Sequence, residues 1–287
     1  ATVVDAGRLV LGVSGALSGS TAVTVNGGEL ALGATSQSVG AVVLNDGTIS
    51  GGVLTGTDYL VKKGTVSSVL AGAAGLTKVT ADEVVLSGMS TYTGATVLDA
   101  GRLVLGVSGA LSGLTAVTVN GGELALGVTS QSVGAVVLND GTISGGVLTG
   151  TDYLVKKGTV SSVLAGAAGL TKATGSEVVL SGVNTYVGAT VLNAGRLVLG
   201  VDDSIRTTSG VTVNGGELVL GTTSQTVAAL VMTGGVVSGG RLSASAFGVQ
   251  SGSVSSILAG TGALTKTGAG VVTLTGANVY SGGTNVS

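Results

Sequence analysis

The sequence predicts an all-β protein wound as a right-handed parallel β-helix, a β-solenoid with about 19 residues per coil and five coils per 94-residue repeat. Three observations carry this. The chain repeats at a fixed long period. A shorter period lies inside the long one. Each short unit alternates apolar and polar residues, then turns at Asn or Asp close to a Gly.

The long period is explicit. The opening ATVVDAGRLVLG of residues 1–12 recurs at 95–106 and, with Asn193 for the aspartate, at 189–200. The offset is 94 both times, without insertion or deletion. Copies 1–94 and 95–188 differ at nine positions, among them Val4/Leu98, Ser20/Leu114, Asp82/Ser176 and Met89/Val183. The third copy has diverged further but holds its register, since Asn26, Asn120 and Asn214 correspond, as do Glu29, Glu123 and Glu217. The expected organisation is therefore 1–94, 95–188 and 189–282 as three repeats of one continuous solenoid. Residues 283–287 start a fourth, so the chain is expected to be a window onto a longer array.

The short period follows from the turns. Asp99, Asn120, Asn139 and Lys156 occupy equivalent turn positions at slightly unequal intervals, and a fifth segment, Leu170 to Thr190, completes the repeat. Period-two alternation is the signature of a half-buried strand, and Asn, Asp and Gly supply the backbone conformations that corners need. Residues rich in Val and Thr disfavour helix. A hairpin sandwich has no reason to repeat its sequence at 19 and 94, whereas a coil stacked on near-copies of itself does. About 19 residues at roughly 3.3 Å each close a three-sided coil, and fifteen coils at about 4.8 Å rise make a rod on the order of 70 Å. In the second copy the inward set is Leu98, Leu103, Leu105, Val117, Val119, Leu124, Leu126, Val136, Leu138 and Ile143. Val97, Arg102, Val104, Thr118, Glu123, Ala125 and Thr142 are expected to point outward.

Composition removes whole classes of function. With no Cys and no His among 287 residues, thiolate and imidazole metal sites, disulfides and Ser-His-Asp or Cys-His catalysis cannot be built. A net charge of -2 offers no basic field for nucleic acid or an anionic membrane. Apolar runs are too short for a spanning helix, and one Phe with five Tyr cannot supply the aromatic girdles of a membrane barrel. The absence of Pro suits strands within a continuous ladder.

The fifth segment is the best-marked stretch. In the third copy it reads LTKTGAGVVTLTGANVYSGGT, residues 264–284. The second copy shares Leu170, Lys172, Leu180, Gly182, Asn184, Tyr186, Gly188 and Thr190, running on into Asn193-Ala194-Gly195-Arg196-Leu197. The first has Leu76, Lys78, Leu86, Gly88, Tyr92, Gly94 and Thr96, with Ser90 where the others carry Asn184 and Asn278. This pattern resembles the autotransporter-associated β-strand repeat, also called the passenger-associated transport repeat, and covers about a third of each unit. The resemblance implies a parallel β-helix passenger of a type V secreted protein, located outside the cell at the surface of a Gram-negative bacterium. It implies a rigid stalk or fibre; the alternative is an adhesin that binds a surface carbohydrate or a host or matrix ligand, along the solenoid face or at a tip elsewhere. No signal peptide stands at Ala1 and no barrel-forming segment closes the chain, so either both are expected beyond this stretch or the fibre is exported by another route.

No residue is expected to be catalytic, to hold a metal or to bind a cofactor. Tyr92, Tyr186 and Tyr280 share one position, either as an outward stripe that stacks on sugar rings or as side chains packing a corner. With Asn184, Asn278 and Gly282 they are candidate repeat-defining structural positions. Lys62-Lys63 and Lys156-Lys157 read as solvated corners, or as contacts for an acidic partner. Arg8, Arg102 and Arg196 read as solubilising charge, and the carboxylates as isolated, without the convergent acid pair that a glycosidase requires. Unpaired coil edges at the two ends predict end-to-end association into filaments.

Overall fold

The structure is a computed structural model that describes all 287 residues. It contains strands and turns but no helix. Two compact units divide it, Ala1–Thr149 and Gly150–Ser287, with the boundary inside the second copy of the repeat. Each unit is a parallel β-solenoid.

In the first unit, short strands stack as one sheet in the order Thr2–Val4, Val23–Val25, Ala41–Leu44, Asp58–Val61, Leu76–Lys78, Thr96–Leu98, Val117–Val119 and Ala135–Leu138. Every pairing is parallel. Thr2 stands opposite Val23, Val23 opposite Val42, Val42 opposite Tyr59, Tyr59 opposite Leu76 and Leu76 opposite Thr96. These steps carry the chain from Thr2 to its own counterpart in the next copy. They are unequal, so the expected coil length holds only as an average. In the second unit Tyr153 stands opposite Leu170, Leu170 opposite Thr190, Thr190 opposite Val211 and Val211 opposite Leu230. Leu230, Phe247, Leu264 and Thr284 continue the series, and the steps are unequal in the same order as in the first unit.

A second sheet follows each corner. Glu29–Ser38 pairs with Thr48–Thr55, and both bend midway, with Gly33 opposite Gly51. The bend turns the strand onto the third side of the coil, where Val69–Ala71 stacks on Val53–Thr55. Thr91 and Tyr92 then stack there through their N–H groups, which donate to the Leu70 carbonyl. The expected three-sided coil is present.

Inward side chains form the core. All ten residues assigned inward in the second copy are buried. Of the seven assigned outward, Ala125 alone is buried, at 1 % exposure. Its methyl lies in the ladder between the larger Val104 and Ser144, which shield it; in the third copy the larger Val219 stands there half-exposed.

The corners work through stacked glycines. Gly101, Gly122 and Gly141 have φ of 73°, 75° and 99°, a region costly for any residue with a Cβ. A Cβ on Gly122 would also run into the Gly101 backbone one coil below. Gly127, with φ 60°, has nothing near its missing side chain. Gly127→Ala is therefore expected to cost about 1–2 kcal/mol through backbone strain alone. Gly122→Ala should cost about 3–5 kcal/mol, because strain and overpacking add. Denaturant unfolding of the two variants measures the difference.

Candidate functional site

The residues that recur in every copy are bound into ladders between coils. On the third side of the coil, Tyr92 and Tyr186 are fully buried. The Tyr92 hydroxyl is 2.6 Å from Thr96 Oγ1, which lies 3.1 Å from Thr115 Oγ1, and Thr115 donates to the Gly94 carbonyl at 2.6 Å. Tyr186 repeats the contact with Thr190 at 2.7 Å, and Tyr280, half-buried, with Thr284 at 2.7 Å. Each ring tilts against a second aromatic from another side of the bore. Tyr59 is 6.1 Å from Tyr92, Tyr153 is 6.2 Å from Tyr186, and Phe247 is 5.7 Å from Tyr280. The sugar-stacking stripe is therefore overturned, since two of the three rings lie inside the coil. Burial raises the Tyr92 and Tyr153 phenols above their ordinary value and pushes Tyr186 up to about 12, the Thr190 hydrogen bond opposing it only in part.

Asn184 is buried and ties three coils together. Its Oδ1 accepts from the Leu164 N–H at 2.9 Å, and its Nδ2 donates to the carbonyls of Ser204 at 2.8 Å and Gly182 at 3.2 Å. Asn278 likewise accepts from the Leu258 N–H at 2.8 Å. Ser90, at this position in the first copy, has a shorter arm. Gly282 permits close approach, because a Cβ there would run into the backbone nitrogen of Ala263, as Cβ atoms on Gly94 and Gly188 would into Ala74 and Gly169.

Three further ladders escaped the sequence reading. Lys78 and Lys172, both fully buried, turn their ammonium groups onto corner carbonyls. Lys78 Nζ donates to the Thr80 carbonyl and, at 3.2 Å, to that of Ala100 one coil on; Lys172 does the same with Thr174 and, at 3.2 Å, Ala194. Burial holds both amines below the usual lysine range. Strand parity would have placed them inward, since they stand second after the inward Leu76 and Leu170 on the same strands. Gln37, Gln131 and Gln225 are buried as well, and each clips a protruding loop to its coil: Gln131 Nε2 donates to the Val107 carbonyl at 2.7 Å and its Oε1 accepts from the Leu111 N–H at 3.3 Å.

The third set lies outside. Arg102 stands between Glu83 at 2.7 Å and Glu123 at 3.0 Å, and Arg196 between Glu177 at 2.6 Å and Glu217 at 3.0 Å. Arg8 pairs with Glu29 at 2.8 Å, and Lys63 with Asp46 at 2.7 Å. The Arg residues, expected as solubilising charge, Lys63, expected as a solvated corner, and the carboxylates, expected as isolated, in fact have partners one coil away. The half-exposed Arg102 and Arg196 pairs contribute about 0.2–1 kcal/mol each. Beside them runs an amide row, in which Asn120 Nδ2 donates to Asp99 at 2.8 Å and Asn139 Nδ2 to Asn120 at 2.6 Å. Asp202 and Asp203 accept from the Ser224 and Thr226 N–H groups at 2.8 and 3.1 Å.

No group of three or more His, Cys, Asp or Glu side chains converges on one point. The second unit has an open depression of about 340 Å³, lined by Thr207, Thr226, Ser243, Ser245 and Thr261 and by the apolar Val227, Ala228 and Ala244. No titratable group lines it.

The Lys, Asn and Tyr positions coincide with a family pattern. Residues 76–105, 170–199 and 264–287 match the passenger-associated-transport-repeat family. Each match opens on the Leu and buried or half-buried Lys of the first sheet and runs through the Asn or Ser and Tyr of the third side. No curated protein and no solved structure matches the chain. The chain carries three of these repeats, and they and the solenoid fit a structural segment of an autotransporter passenger.

Two measurements check these ladders. Ser90→Asn should stabilise the chain by about 1 kcal/mol by giving the Leu70 N–H an acceptor, whereas Asn184→Ser should cost about 1–3 kcal/mol, both read by chemical denaturation. The raised Tyr186 phenol contributes stability that is full below pH 10, where the unfolded tyrosine is also neutral, and is lost from pH 10 towards about 12. The stability difference between wild type and Tyr186→Phe should accordingly be flat up to pH 10 and shrink above it.

Proposed function

We propose that this chain is a stretch of a secreted bacterial surface protein in which the repeat array acts as a rigid stalk or fibre and carries no catalysis. One observation carries the reading. Buried Gln37, Gln131 and Gln225 return in all three copies and buried Lys and Tyr in the first two, with Lys266 and Tyr280 half-buried in the third, so the chemistry of the chain is spent on holding coil to coil. In a solenoid each coil contacts only its neighbours, so stability accumulates with coil number and the last folded coil is a template for the next. Export then becomes directional, because a coil folded outside the membrane cannot return through a narrow channel. With no Cys, no disulfide can lock the chain before it crosses.

The test is a break in the ladder. Leu124 lies in a strand paired with the coils below and above, through Leu103 and Ile143. Leu124→Pro removes an N–H from this ladder and should arrest display of the full secreted protein, leaving its N- or C-terminal part protected from external protease. Undiminished display would refute templated export.

Adhesion is the second reading, and the open depression of the second unit, where Thr and Ser hydroxyls stand among Val227, Ala228 and Ala244, supports it as a surface open to a ligand. Thr226→Val with Ser243→Ala should leave attachment of displaying cells unchanged if the array is a stalk. Loss of attachment with display intact would favour the adhesin.

A further inference from the structure

The outward face of the first sheet has an order that the interior does not demand. Its middle row, one residue per coil, is uncharged: Thr24, Val43, Leu60, Thr77 and Val97. The row before it is small, with Ala22, Ala41, Gly75 and Ala95, and the row after it is larger, with Asn26, Asn45 and Asp99. One coil departs from this. There Asp58, Leu60 and Lys62 point outward, while Tyr59 and Val61 between them are buried. Neither the Asp58 carboxylate nor the Lys62 ammonium has a partner within the chain; it is the neighbouring Lys63 that pairs with Asp46. The triplet returns as Asp152, Leu154 and Lys156 in the second unit. In the third copy it is Ala246, Gly248 and Gln250, although the inward Phe247 and Val249 remain buried. The interior therefore tolerates the triplet's replacement.

We propose that this face docks on the same face of a second copy of the chain, the two solenoids lying side by side and running in the same direction. The face is complementary to itself under a two-fold axis. An axis parallel to the coil stack and passing in front of Leu60 reverses the strand direction across the contact. Asp58 then faces the partner's Lys62, and Lys62 the partner's Asp58. The same operation sets small Ala41 against the partner's Asn45, and Ala95 against the partner's Asp99. An axis along the strand of Leu60 does the opposite, placing Asp58 on the partner's Asp58, and an axis along the strands at any height places the larger row on the larger row. Charge and size both select the parallel arrangement, and equal coil heights keep neighbouring coils in step. Because the same patch serves both copies, the contact at each triplet is isologous, one patch engaging one partner patch. This proposal does not depend on the stalk reading.

The test is sedimentation equilibrium of the full chain. Wild type should sediment as a dimer at high concentration. A variant in which both triplets become the chain's own third-copy residues (Asp58→Ala, Leu60→Gly, Lys62→Gln, with the same changes at 152, 154 and 156) should be monomeric, its dimer weakened at least about 100-fold, with an unchanged circular dichroism spectrum. Charge reversal separates pairing from loss of apolar area. Asp58→Lys with Asp152→Lys should abolish the dimer, and adding Lys62→Asp with Lys156→Asp should restore it. Direction is read by disulfide trapping, since the chain has no Cys of its own. Val43→Cys should cross-link to itself. Cross-linking only in a mixture with a Thr77→Cys chain would overturn the parallel arrangement. A wild-type chain that is monomeric up to its solubility limit, or a dimer indifferent to both triplets, would overturn the docking itself.

Discussion

Parallel hydrogen bonding sets each coil at a fixed height, about 4.8 Å, above the one before. Neighbouring side chains are then copies of a position, not random companions. Leu stacks on Val, as Leu98 does on Val119, and Asn on Asn, as Asn120 does on Asn139. The ladder also explains the residues that look out of place in a core. An inward Lys is tolerable where corner carbonyls of two coils reach its ammonium, as those of Thr80 and Ala100 reach Lys78. Such carbonyls are dipoles that have lost their water, and an ammonium restores what burial removed.

Unequal coils are part of the same design. The longest step, from Thr2 to Val23, contains a protruding loop, which Gln37 of the next coil clips through Val13 and Leu17. The shorter steps, from Val42 to Tyr59 and from Tyr59 to Leu76, have no such loop. The family repeat occupies the coil from Leu76 to Thr96, where the third side carries Tyr and Asn or Ser in place of a regular strand. Here backbone pairing is incomplete, and side chains supply the missing acceptors and donors. Asn184 does this for the Leu164 N–H and the Ser204 carbonyl. A repeat unit is recognisable by sequence where the backbone alone cannot close the coil, because only there does a particular side chain become necessary.

Surface and interior therefore answer to different constraints. Inside, Tyr59 becomes Phe247 and the ring pair persists. Outside, the ion pairs follow the register of coils, and the uncharged row of the first sheet follows neither burial nor pairing. A face that folding leaves free is the place where association between copies can be written.

Much of this was legible in the residues. Period-two alternation placed Leu124 inside and Glu123 outside, and repetition within repetition called for a wound coil, because parity and periodicity are properties of the backbone that side chains must obey. Ala125, outward by parity, is buried because its neighbours in the ladder are larger, which depends on which coils touch. The Arg102 pairs, the Gln131 clip and the Tyr59–Tyr92 contact were decided only in three dimensions. Arg102 reaches back to Glu83 and forward to Glu123, Gln131 back to Val107, and Tyr59 forward to Tyr92, each across a different stretch of chain. Coils of unequal length do not reveal which stretch brings two side chains together until the register of each coil is known.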